Sequence, residues 1–145
     1  MKETAVIAIR SHPRYLCLVR AVTARLGELS GLDEAATEQV KLAVDEACSN
    51  VIKYAYRGDT GRKIVVKFRL KKNALEVAIE DNGLKADPGS IKGRSLDDVR
   101  PGGLGIHFIR RVFDVFQFDE KKKNGNRLRL IKYIEEKHED RYSRP

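Results

Sequence analysis

No run of apolar residues in this chain of 145 approaches the roughly 20 that a membrane-spanning helix needs. The opening, Met1-Lys2-Glu3-Thr4 and a short apolar run to Ile9, lacks the longer apolar core and small-residue cleavage site of a secretory signal. Cysteine is scarce: Cys17 and Cys48 fall in helix-like segments, with no CxxC or metal spacing. Both are expected to be small buried hydrophobes in a reducing compartment, not a disulfide. These absences predict a cytoplasmic protein with no membrane partner. Zinc spacing, a basic region leading into heptads, internal repeats and a linker rich enough to divide domains are also missing.

Charge is plentiful but dispersed. A net charge of +8 favours acidic partners, nucleic acid among them. The basic residues, however, are spread along the whole chain. The one dense run, Lys121-Lys122-Lys123, abuts Asn124-Gly125, a strong hairpin-turn pair, and reads as a solvated turn. No direct nucleic-acid binding is expected. With 41% hydrophobic and 34% charged residues, the composition is globular, not disordered or fibrous. One domain over residues 1–145 is predicted, with a charged tail at 136–145 that frays.

Periodicity divides the chain. Thr4 to Ile9 is β-prone and short, an edge strand ended by His12-Pro13. Leu16, Leu18, Val19, Val22 and Leu26 recur at helical spacing until Ser30-Gly31, and Asp33 is a natural N-cap for a second helix running to about Tyr56. Two strands then alternate: Ile64, Val66, Phe68 and Leu70 on one face, and, after a turn at Lys71-Lys72-Asn73, Leu75, Val77 and Ile79 against Glu76, Ala78 and Glu80. Leu84 to Gly103 has no sustained period. A loop near 20 residues inside a compact domain is often a lid or binding loop. Beyond it, Ile106, Ile109, Val112, Phe113 and Phe116 suggest a helix, and two strands, Val115 to Glu120 and Arg127 to Ile134, a hairpin across Asn124-Gly125. The order predicts an α+β two-layer sandwich: a mixed, mostly antiparallel sheet covered on one face by about three helices.

Three stretches carry chemistry. On the second helix, residues turn by about 100° each, so Leu42, Glu46, Ser49, Asn50 and Lys53 form one stripe, opposite Val40, Val44, Ala47, Val51 and Ala55. Taken alone, that stripe reads as a solvated surface. Asp81 continues the face of Leu75, Val77 and Ile79. Either it begins the turn with Asn82 and Gly83, or it is a carboxylate aimed at the apolar side, which needs a hydrogen-bonding partner. Gly102-Gly103-Leu104-Gly105 precedes the third helix, where backbone N–H groups and the helix dipole favour an anion; glycine also opens helices for purely structural reasons.

In order, the helix E-x-x-x-N within DEACSNVIKYAY, the strand-end D-x-G and the glycine-rich opening of RPGGLGIHFIRR resemble the GHKL ATPase superfamily, with its Bergerat fold. More narrowly they resemble its anti-sigma-factor serine/threonine kinases. The resemblance covers nearly the whole chain. It implies ATP and Mg²⁺ as cofactors, with Asn50 binding Mg²⁺ through its amide oxygen and Glu46 as general base. It implies that Asp81 hydrogen-bonds the adenine amino group, that Gly83 lets the backbone pass under the base, and that Gly103, Leu104 and Gly105 approach the phosphates. Lys53 becomes an additional phosphate contact or a side chain snorkelling into solvent. The implied partners are a STAS-type anti-sigma-factor antagonist as substrate and a sigma factor, and the family suggests a homodimer.

The chain departs from the family pattern in two places. Lys85 and Ala86 stand where a second glycine and an aromatic are usual, and the later Gly-Thr is Gly125-Asn126. Asn126 retains the capacity to hydrogen-bond near an adenine. The leading expectation is therefore an ATP- and Mg²⁺-dependent protein-serine kinase. The alternative, which Lys85 favours, is a non-catalytic ATP-binding module that sequesters a regulator.

Overall fold

The computed structural model describes residues 2–86 and 103–135. The expected lid, apart from its ends, and the charged tail at 136–145 lie outside them.

Strand β1 (Ala5–Arg10) ends at Ser11, and Pro13–Tyr15 makes a single 3₁₀ turn, capped by the His12 ring nitrogen accepting from the Arg14 N–H. Helix α1 (Leu16–Ser30) stops at Gly31. Asp33 caps helix α2 (Glu34–Asn50) by accepting from the Ala36 N–H at 2.7 Å, satisfying an N–H that the helix itself cannot. The chain then widens into one π-helical turn, Val51–Ala55. Strands β2 (Lys63–Lys71) and β3 (Ala74–Asp81), helix α3 (Gly103–Val112), and strands β4 (Val115–Phe118) and β5 (Asn126–Tyr133) follow.

The five strands form one sheet in the order β1-β2-β3-β5-β4. Every pairing among the described residues is antiparallel, in keeping with the mostly antiparallel sheet expected. β1 is an edge strand, as its length suggested. On the covered face Ile64, Val66, Phe68, Leu75, Val77, Ile79, Leu128 and Leu130 are buried against Val19 and Leu26 of α1, Val40, Val44 and Ala47 of α2, and Ile109 and Val112 of α3. These elements share one core, and the architecture of the described residues is α+β with three α-helices on an open sheet. No helix among the described residues is long and apolar enough to cross a membrane.

Several local expectations change. The second helix does not stay α-helical to Tyr56: past Asn50 the wider turn breaks the 100° spacing that had aligned Lys53 with Asn50. The third helix ends at Val112, and Phe116 lies in β4. The expected hairpin across Asn124-Gly125 is present, but β4 stops at Phe118 and β5 starts at Asn126, so its connection is residues 119–125. Cys48 is buried as expected, but Cys17 is exposed near the start of α1. Glu76, assigned by alternation to the outer face, is on that face yet only 2% exposed. Arg69, Lys71 and Arg129 close over it at 3.4, 2.9 and 3.1 Å. Long cationic stems bury what the bare sheet would leave wet.

Candidate nucleotide site

The end of β3 is where the buried polar chemistry concentrates. Asp81 is 4% exposed and continues the apolar face, as its parity predicted. Its turn-forming and inward-facing readings are both realised. Oδ1 accepts from the Gly83 N–H at 2.8 Å, fixing the turn, and from the Asn126 amide at 3.1 Å. Oδ2 has the longer contact with that amide, 3.3 Å. Burial pushes the Asp81 carboxyl above the usual aspartate range, while the Gly83 and Asn126 donors and the Lys122 charge pull the other way. Desolvation wins because most of its donors are neutral.

Asn126 is the cross-strand partner of Asp81, at the first position of β5. Besides the carboxylate, its amide N–H₂ reaches the Leu84 carbonyl at 2.8 Å and its amide oxygen accepts from the Ala86 N–H at 2.8 Å. Gly125 before it has φ +70°, and a Cβ there would overlap the Asp81 carbonyl. Only glycine both adopts that backbone and fits the gap. The Asn124-Gly125 pair therefore serves the approach of β5 to the end of β3, not a tight hairpin.

Gly83 packs on the π-helical turn. A Cβ on it would overlap the Ala55 carbonyl, which accepts from the Leu84 N–H at 2.8 Å. Tyr56 closes the same corner: its hydroxyl donates to the Lys63 carbonyl at 2.5 Å and accepts from the Asn82 N–H at 3.0 Å. The Arg62 guanidinium lies 4.7 Å from its ring centroid and donates to the Asn82 carbonyl. Burial first, and the Asp81 charge after it, raise the phenol above its ordinary range, against the Asn82 hydrogen bond and the Arg62 charge. Sequence reading missed Ala55 and Tyr56 because their role depends on a π turn that helical periodicity does not encode.

The second focus is the meeting of α2 with α3. Glu46 and Asn50 are both partly buried, one turn apart on α2. The Glu46 carboxylate lies so close to Gly105, in the first turn of α3, that a Cβ at 105 would overlap its oxygen. Gly103 is the first residue of α3, and Leu104 is 59% exposed. The structure thus brings Glu46 and Gly105 together, and separately Asp81, Gly83 and Asn126. Lys53 is exposed on the π turn. Lys85, in place of the usual glycine, donates through Nζ to the Lys122 carbonyl and ties the exit of β3 to the β4–β5 connection.

A hard-oxygen amide such as Asn50 suits Mg²⁺ when phosphate oxygens and water complete the shell. A buried carboxylate with spare acceptor capacity suits an exocyclic amine. Both fit what a nucleotide with its metal needs.

Comparison with known proteins bears on the family and the fold. Residues 9–132 match the family described as histidine kinase-like ATPase domain. The serine-protein kinase RsbW of Listeria innocua is 29% identical over 147 aligned positions, covering 94% of this chain and 91% of that protein. RsbW of Bacillus thuringiensis is 27% identical over 141 positions, covering 92% and 86%. Among solved structures, the histidine kinase domain of a blue-light-activated histidine kinase from Erythrobacter litoralis superposes with a TM-score of 0.54 at 14% identity. That match covers 87% of this chain and 62% of the other, and it speaks to the fold alone, which is of the GHKL type.

Proposed function

The chain belongs to the histidine kinase-like ATPase domain family, and from that premise we propose that it is an ATP- and Mg²⁺-dependent serine/threonine protein kinase. Its substrate is a STAS-type anti-sigma-factor antagonist, and it acts as an anti-sigma factor on the sigma factor which that antagonist releases. The proposal extends to a cytoplasmic location. The similarity to the serine-protein kinases RsbW supports the kinase reading. The observation that carries it is the juxtaposition of Glu46 with Gly105 at the opening of α3, one helical turn from Asn50.

In this reading Asp81 accepts a hydrogen bond from the adenine amino group, and Gly83 lets the backbone lie under the base. Gly103, Leu104 and Gly105 bring the first backbone N–H groups of α3 to the phosphates, where the helix dipole favours negative charge. Lys53 adds a phosphate contact from the π turn. Asn50 would hold Mg²⁺, which supplies charge neutralisation on the phosphates. Glu46 accepts the proton of the substrate serine hydroxyl as its oxygen bonds to the γ-phosphorus. The bond from that phosphorus to the β–γ bridging oxygen breaks and ADP leaves.

Transfer of labelled phosphate from ATP to the antagonist tests this. Wild type is expected to phosphorylate one serine, Glu46→Gln to lose roughly 10²–10⁴-fold in rate, and Asn50→Ala to lose Mg²⁺ dependence along with activity. Unchanged transfer by Glu46→Gln would remove Glu46 as the base. Tight ATP binding with no transfer by wild type would favour the non-catalytic module, for which the Lys85–Lys122 tie is the supporting observation.

A further inference from the structure

Asn126 has no donor left to offer a ligand. A primary amide carries two N–H groups and one oxygen. One N–H points at the Asp81 carboxylate, the other is given to the Leu84 carbonyl, and the oxygen takes the Ala86 N–H. The orientation of the amide is forced. Turned over, it would set its oxygen against a carboxylate and a carbonyl, and its N–H₂ against another N–H. The residue is only 7% exposed. Resemblance assigns Asn126 to nucleotide contact; the hydrogen bonds assign it to the protein.

We propose that Asn126 is a positioning residue, which aims the free oxygen of Asp81 at the base and ties that carboxylate to Leu84 and Ala86. The geometry supports each half. Among the described residues, Asp81 Oδ1 is occupied twice, by Gly83 and by the Asn126 amide, whereas Oδ2 has the longer 3.3 Å contact with that amide and keeps acceptor capacity. The carboxylate plane is therefore set by two donors on one side, with the other oxygen left to accept. The same amide bonds the Leu84 carbonyl and the Ala86 N–H, so a displaced Asp81 and a displaced exit from β3 are one event. This role rests on the nucleotide reading above.

Removing the amide takes donors away from the ionised form of Asp81, and burial then acts with less opposition. Among the described residues, the titratable and charged groups facing Asp81 are Lys122, from the β4–β5 connection, and the Tyr56 phenol, itself under Arg62; both remain in the variants. Asn126→Thr and Asn126→Val make the informative pair: they share a shape and differ in one hydroxyl donor. Packing damage is common to both, so their difference reads the donor alone.

Two readouts are needed: the carboxyl titration of Asp81 by NMR without nucleotide, and the Kd for ATP across pH. Asn126→Thr is expected to keep the Asp81 midpoint near that of wild type and ATP affinity within about threefold. Asn126→Val is expected to raise the midpoint and weaken ATP by roughly 10–100-fold, as for a lost hydrogen bond to a charged group. Its loss deepens as pH falls, because a proton on the oxygen that faces the base puts a donor where an acceptor is needed. Should Asn126→Val not fold, Asn126→Ala takes its place against the threonine variant. Identical midpoints and affinities in the two variants would overturn the proposal. Failure of wild type to bind ATP would overturn the nucleotide reading and with it the aiming of Asp81 at a base, while the nucleotide-free titration still decides whether Asn126 orients the acid.

Discussion

Two carboxylates are buried in β3, and their surroundings differ in kind. Glu76 is enclosed by Arg69, Lys71 and Arg129; burial pushes its carboxyl up, but the hydrogen bonds and charges of Lys71 and Arg129 outweigh it and hold it below the usual range. Asp81 has mainly amide donors and is held above that range. A buried acid left without a full counter-charge is the arrangement expected at a functional position. Linkage gives the two sites opposite signs. The raised pKa of Asp81 contributes stability below the ordinary aspartate range, and that contribution is lost as pH rises through the folded value. The lowered pKa of Glu76 contributes stability above the ordinary glutamate range, lost as pH falls through the folded value. The stability of wild type minus that of Asp81→Asn is therefore expected to fall with rising pH, and wild type minus Glu76→Gln to rise. Denaturant titrations across the acid range measure both slopes; slopes of the same sign would contradict the contrast. Asp81→Asn is also expected to lose roughly 10–100-fold in ATP affinity.

Among the elements, the junction of β3 with β5 depends on a backbone approach more than on side-chain packing. Gly31 and Gly125 both have positive φ, but nothing lies within 4 Å of a Cβ at Gly31, whereas one at Gly125 meets Asp81 and Asn82. Gly31→Ala is expected to cost about 1–2 kcal/mol, the conformational term alone. Gly125→Ala adds overlap with backbone that has nowhere to move, for a further 1–3 kcal/mol or so, and displaces Asn126. Chemical denaturation of the pair decides this; equal losses would mean that the strands separate at little cost. The same junction marks the limit of what sequence reveals. Alternation of Ile64 through Phe68 and Leu75 through Ile79 was enough to place β2 and β3 but left Asp81 open between beginning the turn and pointing inward, and the capping aspartate at Asp33 located the start of α2. The π turn after Asn50, the close approach of Gly125 to Asp81 and the cations over Glu76 were not legible. Each arises from contacts between residues far apart in the chain: Ala55 with Gly83, Gly125 with Asp81, Arg129 with Glu76. Glu46 and Gly105 likewise meet only because α3 packs on α2.

At the scale of the molecule, the residues assigned to the nucleotide come from α2, the π turn, the end of β3 and α3, elements that border one shared core. A ligand gripped by all of them binds the folded chain and not the unfolded one, so it stabilises by mass action, about 2.7 kcal/mol at 100 times its Kd. For a chain of this size that corresponds to a rise in Tm of roughly 5–12 °C. Melting of wild type with ATP is expected to show such a shift, larger when Mg²⁺ is added, and the Mg²⁺ increment is expected to vanish in Asn50→Ala. GTP is the stringent control. Asp81 Oδ2 accepts, adenine presents an amino group at its sixth position, and guanine presents a carbonyl oxygen there. Two acceptors facing each other in a buried site cost more than the lost bond, since neither finds water. GTP at the same concentration is therefore expected to leave Tm within about 1 °C of the ligand-free value. An equal shift with GTP would show that Asp81 does not select the base, and would transfer the burden of recognition to the phosphates and to α3.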